Sequence, residues 1–156
     1  MDCFEQLVKL AASKGATISA CESLTAGLFC ASVGAVPGAS AVLKGGLVTY
    51  FTKMKEVLAH VDGELIEQYG VVSSPCAKAM AENTRQITGS DFAVSFTGNA
   101  GPGVLEGKPA GLVYCGLAYD GGCEVYELQM SGSRNEVRLS VCQIMAEHIL
   151  EKLSFQ

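Results

Sequence analysis

The apolar residues of this chain switch repeatedly between helical spacing and short β-rich runs, and this alternation restricts the fold more than any other feature of the sequence. No repeat, low-complexity segment or long linker interrupts it, so residues 1–156 are predicted to form a single domain. In chain order the pattern predicts a helix about 4–11, a strand over 16–20, a helix over 25–33, a strand over 47–51, helices over 53–58, 64–69 and 77–87, a strand over 91–96, a hairpin of strands 112–119 and 124–130, and a helix over 134–153. Strands that alternate with helices predict an α/β fold, here a three-layer α/β/α domain with a mixed, mainly parallel sheet.

One helix start is explicit in the sequence. Ser73, Ser74 and Pro75 precede the helical pattern over 77–87. Serine is a preferred N-cap residue, and proline is favoured at the first helical position because its missing N–H would be unpaired there in any case. We therefore predict a serine-capped helix with Pro75 at its first position.

Composition excludes several classes of function. Hydrophobic residues make up 49% of the chain and charged residues 17%, a balance typical of an ordered globular protein. The formal net charge is −5 with only 11 Lys and Arg residues, so no broad basic surface is available for nucleic acid. No apolar run approaches the roughly 20 residues of a membrane span. We expect a cytoplasmic protein with no nucleic-acid or membrane partner.

The seven cysteines do not indicate a metal site. They are scattered, odd in number, and never form Cys-x-x-Cys or a cluster with histidine. Most lie in apolar stretches, where a thiol packs as a small hydrophobic group. Cys21 is the exception because it neighbours Ser23 and could act as a nucleophile, although no histidine or cation lies near it in sequence. No metal is predicted.

Two segments that follow predicted strands have the residue types of a ligand site. Ser23 lies where a strand passes into a helix, and the glycine-rich segment 97–103 follows the strand over 91–96. Ligands of open α/β sheets bind beyond the carboxyl ends of the strands. Glycines also let backbone amides approach an anion closely. Segment 97–103 matches neither the P-loop nor the dinucleotide-binding pattern, so a tight connecting loop is an equal alternative.

A serine nucleophile needs a base, and the chain offers few candidates. Its two histidines, His60 and His148, lie in positions typical of surface or packing residues. A lysine is the alternative, because burial penalises the ammonium form and lowers the pKa toward neutrality. Lys53 and Lys55 both follow the strand predicted over 47–51, and spacing alone does not choose between them.

Several segments, in order and with compatible spacing, resemble the CinA C-terminal domain family. They are 22–27 (Glu-Ser-Leu-Thr-Ala-Gly), 46–50 (Gly-Leu-Val-Thr-Tyr), 70–73 (Gly-Val-Val-Ser), 97–102 (Thr-Gly-Asn-Ala-Gly-Pro), 108–114 and 131–138. The resemblance covers nearly the whole chain and implies the same three-layer fold. It also implies an amidohydrolase that converts nicotinamide mononucleotide and water to nicotinic acid mononucleotide and ammonia, in pyridine-nucleotide recycling.

The resemblance further implies a Ser-Lys dyad, with Ser23 as nucleophile and Lys55 as general base. The positions that match the substrate site are Glu22, Thr25, Tyr50, Thr97, Gly98, Asn99, Ala100, Gly101, Arg134 and Arg138. Arg134 and Arg138 suit the nucleotide phosphate, because a guanidinium binds phosphate in a bidentate manner. No cofactor is implied, and the partners expected are a small nucleotide substrate and further copies of the chain in a dimer or higher assembly.

The chain departs from the family pattern beside the implied nucleophile and in the glycine-rich loop. Leu24 and Ala26 replace cysteine and glycine of the usual Glu-Ser-Cys-Thr-Gly-Gly, and Asn99 replaces isoleucine of Thr-Gly-Ile-Ala-Gly-Pro. Two alternatives therefore stay open: a related amidohydrolase that acts on another nucleotide amide, and a non-catalytic nucleotide-binding or assembly module.

Overall fold

Five strands form one mixed sheet in the computed structural model, which describes residues 1–156. The strands are β1 (Ile18–Glu22), β2 (Leu43–Val48), β3 (Phe92–Gly98), β4 (Leu112–Tyr119) and β5 (Gly122–Gln129). Their order across the sheet is β2-β1-β3-β4-β5. β1 pairs in parallel with β2 and β3, whereas the β3–β4 and β4–β5 pairs are antiparallel. The mixed sheet is confirmed, and its parallel half carries the strand ends that matter for the site.

Helices cover both faces of the sheet, so the three-layer prediction is also confirmed. They are α1 (Cys3–Lys14), α2 (Leu28–Gly34), α3 (Thr52–Val57), α4 (Gly63–Tyr69), α5 (Ser74–Thr88) and α6 (Arg134–Ser154), with a short 3-10 turn at Ala39–Ala41. α1, α2 and α6 pack together on one face, and α5 lies across the other with α4 against it. None of these helices combines the length and apolarity needed to cross a membrane.

The larger apolar core lies between the sheet and the α1, α2 and α6 layer. It contains the predicted apolar face of α1, and its aromatic rings form a chain from Phe4 through Phe29 to Phe96. A smaller core that includes Cys21, Val72 and Met80 lies under α5. The lysine described below lies beside this second core.

Sequence signals for helix ends agree with the structure. The Ser73 hydroxyl accepts a hydrogen bond from the Cys76 amide and caps α5, with Pro75 as the second helical residue rather than the first. α1 ends at Gly15, whose left-handed φ of 65° suits glycine.

Three predicted boundaries beside the site were wrong. β1 covers Ile18–Glu22 rather than 16–20, so it ends directly before Ser23. β2 covers Leu43–Val48 rather than 47–51, because parallel pairing with β1 draws Gly45 and Gly46 into the strand despite their low β propensity. α2 begins at Leu28 rather than at Thr25, since Ala26 and Gly27 have left-handed φ values of 47° and 97°. The residues after Ser23 therefore form a turn and not the first turn of a helix.

Candidate active site

Ser23 and Lys55 meet at the carboxyl edge of the sheet. Ser23 directly follows β1, and Lys55 lies in α3, the helix that follows β2. Because β1 and β2 are parallel neighbours, both chain segments leave the sheet at the same edge. The Ser23 amide donates to the Phe96 carbonyl at 2.9 Å, which fixes the serine against β3. Lys55 Nζ lies 3.0 Å from Ser23 Oγ, within the range expected of a nucleophile and its base.

Lys55 is almost completely buried, with 1% of its surface exposed. Its amine also donates to the Thr49 carbonyl at 2.7 Å. Burial penalises the ammonium form and lowers the pKa of Lys55 below its ordinary value. This amine is therefore neutral more often than that of an exposed lysine.

Few charges near Lys55 oppose this shift. Burial raises the pKa of the neighbouring Cys76 thiol to about 12 and also raises the pKa of Cys21, so neither thiol is an anion at neutral pH. The Glu106 carboxylate is the remaining group that favours the ammonium form and raises the pKa of Lys55. Burial lowers the pKa of Lys55 by more than Glu106 raises it, so the pKa is lowered overall.

The dyad opens into a cleft of about 400 Å³. Its lining residues are Ser23, Leu24, Tyr50, Phe51, Thr52, Lys55, Val71, Thr97, Gly98, Asn99, Ala100, Gly101, Gly103, Val104, Leu105 and Arg134. Seven of these sixteen residues are hydrophobic, so the cleft suits a ligand that is partly apolar and partly polar.

The end of β3 supplies one wall of the cleft. The Thr97 hydroxyl donates to the Val71 carbonyl at 2.7 Å. Gly98 has no room for a side chain, because a Cβ atom there would lie 2.5 Å from the Leu112 carbonyl oxygen. Only glycine at position 98 lets the end of β3 approach the start of β4 this closely.

Asn99 organises the loop that follows. Its side-chain oxygen accepts from the Gly101 amide at 3.1 Å, and its side-chain nitrogen donates to the Lys108 carbonyl at 3.3 Å. The asparagine that replaces isoleucine therefore stabilises the loop from within. Beside Ser23 the Leu24 amide has no acceptor in the chain, and within residues 97–101 the same holds for the Ala100 amide.

Arg134 lies at the mouth of the cleft. It is the first residue of α6 and donates to the Gly101 carbonyl at 2.9 Å and to the Tyr50 hydroxyl at 2.7 Å. A Ser133–Glu136 capping box begins this helix. The structure thus brings together three of the predicted site features: Arg134, Tyr50 and the glycine-rich loop.

Three of the predicted substrate-binding residues do not line the cleft. Glu22 is buried, and its carboxylate accepts from the Phe29 and Cys30 amides at the start of α2. Thr25 is fully buried, and its hydroxyl has no hydrogen-bond partner. Arg138 donates to the carbonyls of Leu24 and Thr25, both at 2.9 Å. Arg138 therefore supports the turn that carries Ser23, and Glu22 supports the start of α2.

The alternative nucleophile and bases lie away from this cleft. Cys21 is fully buried, with its sulfur 3.5 Å from the Thr49 hydroxyl. His148 stacks on Tyr126 with ring centroids 3.9 Å apart, and Lys53 pairs with Glu56 on the exposed side of α3. His60 lies in the connection after α3 and is not among the cleft residues.

Sequence reasoning missed several residues that line the cleft. They are Phe51, Thr52, Val71, Val104 and Leu105, whereas Leu24 and Gly103 lie in segments that the sequence had already indicated. A signal existed for some of them: Phe51 and Thr52 directly follow Tyr50, and Val71 belongs to the 70–73 segment quoted above. Val104 and Leu105 carry no such signal.

Comparisons with known proteins show the family of the chain and its fold. The sequence profile described as the CinA C-terminal domain matches residues 2–153. A putative competence-damage inducible protein of Geobacillus sp. (strain WCH70) is 43% identical over 152 residues, which are 97% of this chain and 36% of that protein. A protein of the same description from Streptococcus pneumoniae (strain ATCC 700669 / Spain 23F-1) is 48% identical over 126 residues, 80% of this chain and 30% of that protein. The chain spans about a third of the length of these curated relatives.

Solved structures share the whole fold. The competence/damage inducible protein CihA from Agrobacterium tumefaciens is 31% identical, with a TM-score of 0.89 over 99% of this chain and 97% of that one. A CinA superfamily protein from Klebsiella pneumoniae 700603 reaches a TM-score of 0.95 at 24% identity, over 99% of this chain and 97% of that one. The second likeness concerns the fold alone.

Proposed function

The chain belongs to the CinA C-terminal domain family, and we propose that it hydrolyses the amide of nicotinamide mononucleotide to give nicotinic acid mononucleotide and ammonia. The observation that carries this proposal is the buried amine of Lys55, 3.0 Å from the Ser23 hydroxyl. A lysine whose pKa is lowered by burial can accept a proton from serine, which an exposed ammonium group cannot do.

Ser23 attacks the carbonyl carbon of the amide in the first half of the reaction. As the Oγ–C bond forms, the hydroxyl proton passes to the neutral Lys55 amine, and the carbonyl oxygen becomes an oxyanion. The Thr49 carbonyl holds the lysine in place as it gains charge. The tetrahedral intermediate then collapses, the C–N bond breaks, and the Lys55 ammonium returns the proton to the leaving nitrogen. Ammonia departs and an ester on Ser23 remains.

Water reverses these roles in the second half. It attacks the ester carbon and gives a proton to Lys55, and when the C–Oγ bond breaks that proton returns to Ser23. The sum of the two halves is amide plus water to acid plus ammonia. One lysine serves twice, so no other base is required.

Two backbone amides are suited to the oxyanion. Those of Leu24, the residue after the nucleophile, and Ala100 lie on the cleft without an acceptor in the chain. Donors fixed in advance at the position of developing charge contribute strongly to such reactions, and losing one typically costs about 10²-fold or more in rate.

The phosphate and the ring of the substrate have different candidate partners in the cleft. We assign the phosphate to Arg134, which lies at the mouth and keeps further guanidinium donors beyond its contacts with Gly101 and Tyr50. Exposed apolar surface at Phe51 and Val104 suits the flat face of the pyridine ring. Arg138 already binds two carbonyls and is assigned a supporting role.

The proposal is tested by ammonia release from a panel of amides: nicotinamide mononucleotide, nicotinamide riboside, nicotinamide and glutamine. We expect one ammonia for each nicotinic acid mononucleotide formed, with the mononucleotide the best substrate. Turnover of another amide alone would favour the related amidohydrolase. Binding of nicotinamide mononucleotide without turnover would favour the non-catalytic module.

A further inference from the structure

The loop beyond Asn99 contains a tight turn whose sequence does not suit its backbone. Leu105 and Lys108 form a β-bridge, and the Lys108 amide donates to the Leu105 carbonyl at 2.9 Å. The two central residues, Glu106 and Gly107, have left-handed φ values of 55° and 70°. Such turns favour Asn, Asp or Gly at the first central position, so glutamate there has a backbone cost that those residues would avoid.

The Glu106 side chain has a specific partner that offsets this cost. One carboxylate oxygen accepts from the Val71 amide and the other from the Val72 amide, both at 3.0 Å. Val71 and Val72 are buried residues between α4 and α5, and their amides have no other acceptor in the chain. Buried amides without a partner are costly, so both ends of this contact favour its formation.

Glycine at position 70 makes room for the carboxylate. A Cβ atom on Gly70 would lie 2.7 Å from Glu106 Oε1 and 2.9 Å from Oε2, and the residue has a left-handed φ of 77°. Segment 70–72 is therefore shaped to accept a carboxylate at close range. This gives a physical reason for glycine in the 70–73 motif that the dyad does not explain.

The contact joins two walls of the cleft. Val71 lines the cleft, and its carbonyl accepts from the Thr97 hydroxyl. On the other side of the contact, Val104 and Leu105 line the cleft next to Glu106, with 69% and 45% of their surfaces exposed. Fixing Glu106 therefore fixes two apolar side chains whose free faces are available to a ligand.

We propose that Glu106 is a positioning residue that latches the 103–108 segment to segment 70–72, so that Val104 and Leu105 form the wall that contacts the ring of an aromatic amide. The functional part of this proposal rests on the proposed deamidase activity. Release of the latch would free this wall of the cleft and weaken substrate binding, while Ser23 and Lys55 would keep their places.

The test compares Glu106→Ala with Asp91→Ala, a matched control. Asp91 also accepts from a backbone amide, that of Thr17 at 2.8 Å, but it precedes β3 at the opposite edge of the sheet. For Glu106→Ala we expect the KM for nicotinamide mononucleotide to rise about tenfold, the pattern of lost ground-state binding. Because Glu106 also raises the pKa of Lys55, kcat is compared on the high-pH plateau, where Lys55 is neutral in both proteins, and there it should stay within about threefold. Asp91→Ala should leave both constants unchanged.

Glu106→Asn tests the contact between the Glu106 carboxylate and segment 70–72 separately from the backbone conformation of the turn. Asparagine suits the left-handed backbone but is one methylene too short to reach segment 70–72, so we expect the same rise in KM with a better-formed turn. Hydrogen exchange of the peptide that spans 70–73 should become faster in both Glu106 variants and stay unchanged in Asp91→Ala.

Exchange makes the latch testable even if the wild-type protein releases no ammonia. Unchanged exchange at 70–73 in Glu106→Ala would overturn the latch itself. Faster exchange with an unchanged KM, in a wild-type protein that turns over the substrate, would overturn its role in substrate binding.

Discussion

Arg138 donates hydrogen bonds to the carbonyls of Leu24 and Thr25, the two residues that follow Ser23. The turn that carries the proposed nucleophile is thereby attached to α6, the helix that packs with α1 and α2 on one face of the sheet. Arg138 thus supports the turn through two carbonyl contacts, whereas Arg134 lines the cleft. The two arginines of α6 therefore predict different mutant phenotypes.

Removing the Arg138 side chain should affect catalysis more than binding. In Arg138→Ala the Leu24 carbonyl loses its donor and the Thr25 carbonyl keeps only the Leu28 amide, so we expect the free energy of unfolding to fall by about 1–3 kcal/mol. Because the turn positions Ser23, kcat should fall about tenfold while the KM for nicotinamide mononucleotide changes little. Steady-state kinetics and denaturant unfolding measure both effects. A rise in KM confined to the phosphorylated substrate would instead assign Arg138 to the phosphate.

Arg134→Ala should show the opposite pattern. We expect the KM for nicotinamide mononucleotide to rise by about 10- to 100-fold, because a charge-assisted contact with phosphate is lost. The KM of the same variant for nicotinamide riboside should equal that of the wild type, since the riboside lacks the phosphate. Equal losses on both substrates would contradict the assignment.

Glu22 should prove to be a structural residue. Its carboxylate is the acceptor for the Phe29 and Cys30 amides at the buried start of α2, so Glu22→Ala leaves two donors without a partner. We expect a loss of about 1–3 kcal/mol in the free energy of unfolding. The exposed Glu67→Ala is the control and should change stability little. If Glu22→Ala kept full stability but bound nicotinamide mononucleotide weakly, Glu22 would belong to the substrate site.

The reaction should require a neutral Lys55. Because burial lowers the pKa of Lys55, kcat/KM should rise with pH through that lowered pKa and then level off below the ordinary lysine value of about 10.4. Lys55→Arg keeps a charged donor that cannot be deprotonated, so it should be inactive across the whole pH range. Substantial activity in that variant would exclude Lys55 as the base.

The same lowered pKa makes folding depend on pH. Below it, folded and unfolded chains both hold the proton, and the cost of a buried ammonium group is fully present. Above it, the folded chain loses its proton first, so the stability of the wild type relative to Lys55→Met should increase as pH rises toward about 10.4. Each unit by which the pKa is lowered corresponds to about 1.4 kcal/mol of this change, measured by denaturant unfolding. A stability difference independent of pH would contradict a lowered pKa.

Local signals in the sequence predicted most elements because their physics is local. The Ser73 cap, the Gly15 stop and the apolar face of α1 all depend on residues within about one or two helical turns of each other. β2 was misplaced because its position depends on pairing. Gly46 lies so close to β1 and α2 that a Cβ atom there would collide with Cys30 Sγ, a constraint that no local propensity contains.

The site was predictable only as far as the family resemblance reached. Ser23 and Lys55 are 32 positions apart, and nothing in that spacing reveals that β1 and β2 are neighbours. The supporting residues were harder still. Glu106 lies 35 positions from Val71, and its importance comes from a left-handed turn and two amides that appear only in three dimensions.

The most direct test of the Ser23–Lys55 account is ammonia release from nicotinamide mononucleotide by Ser23→Ala, with binding of the same compound followed by calorimetry. The account predicts that turnover falls by about 10³-fold or more, because no other group can form the ester, while the dissociation constant stays within a few-fold of the wild-type value. Undiminished ammonia release by Ser23→Ala would contradict it.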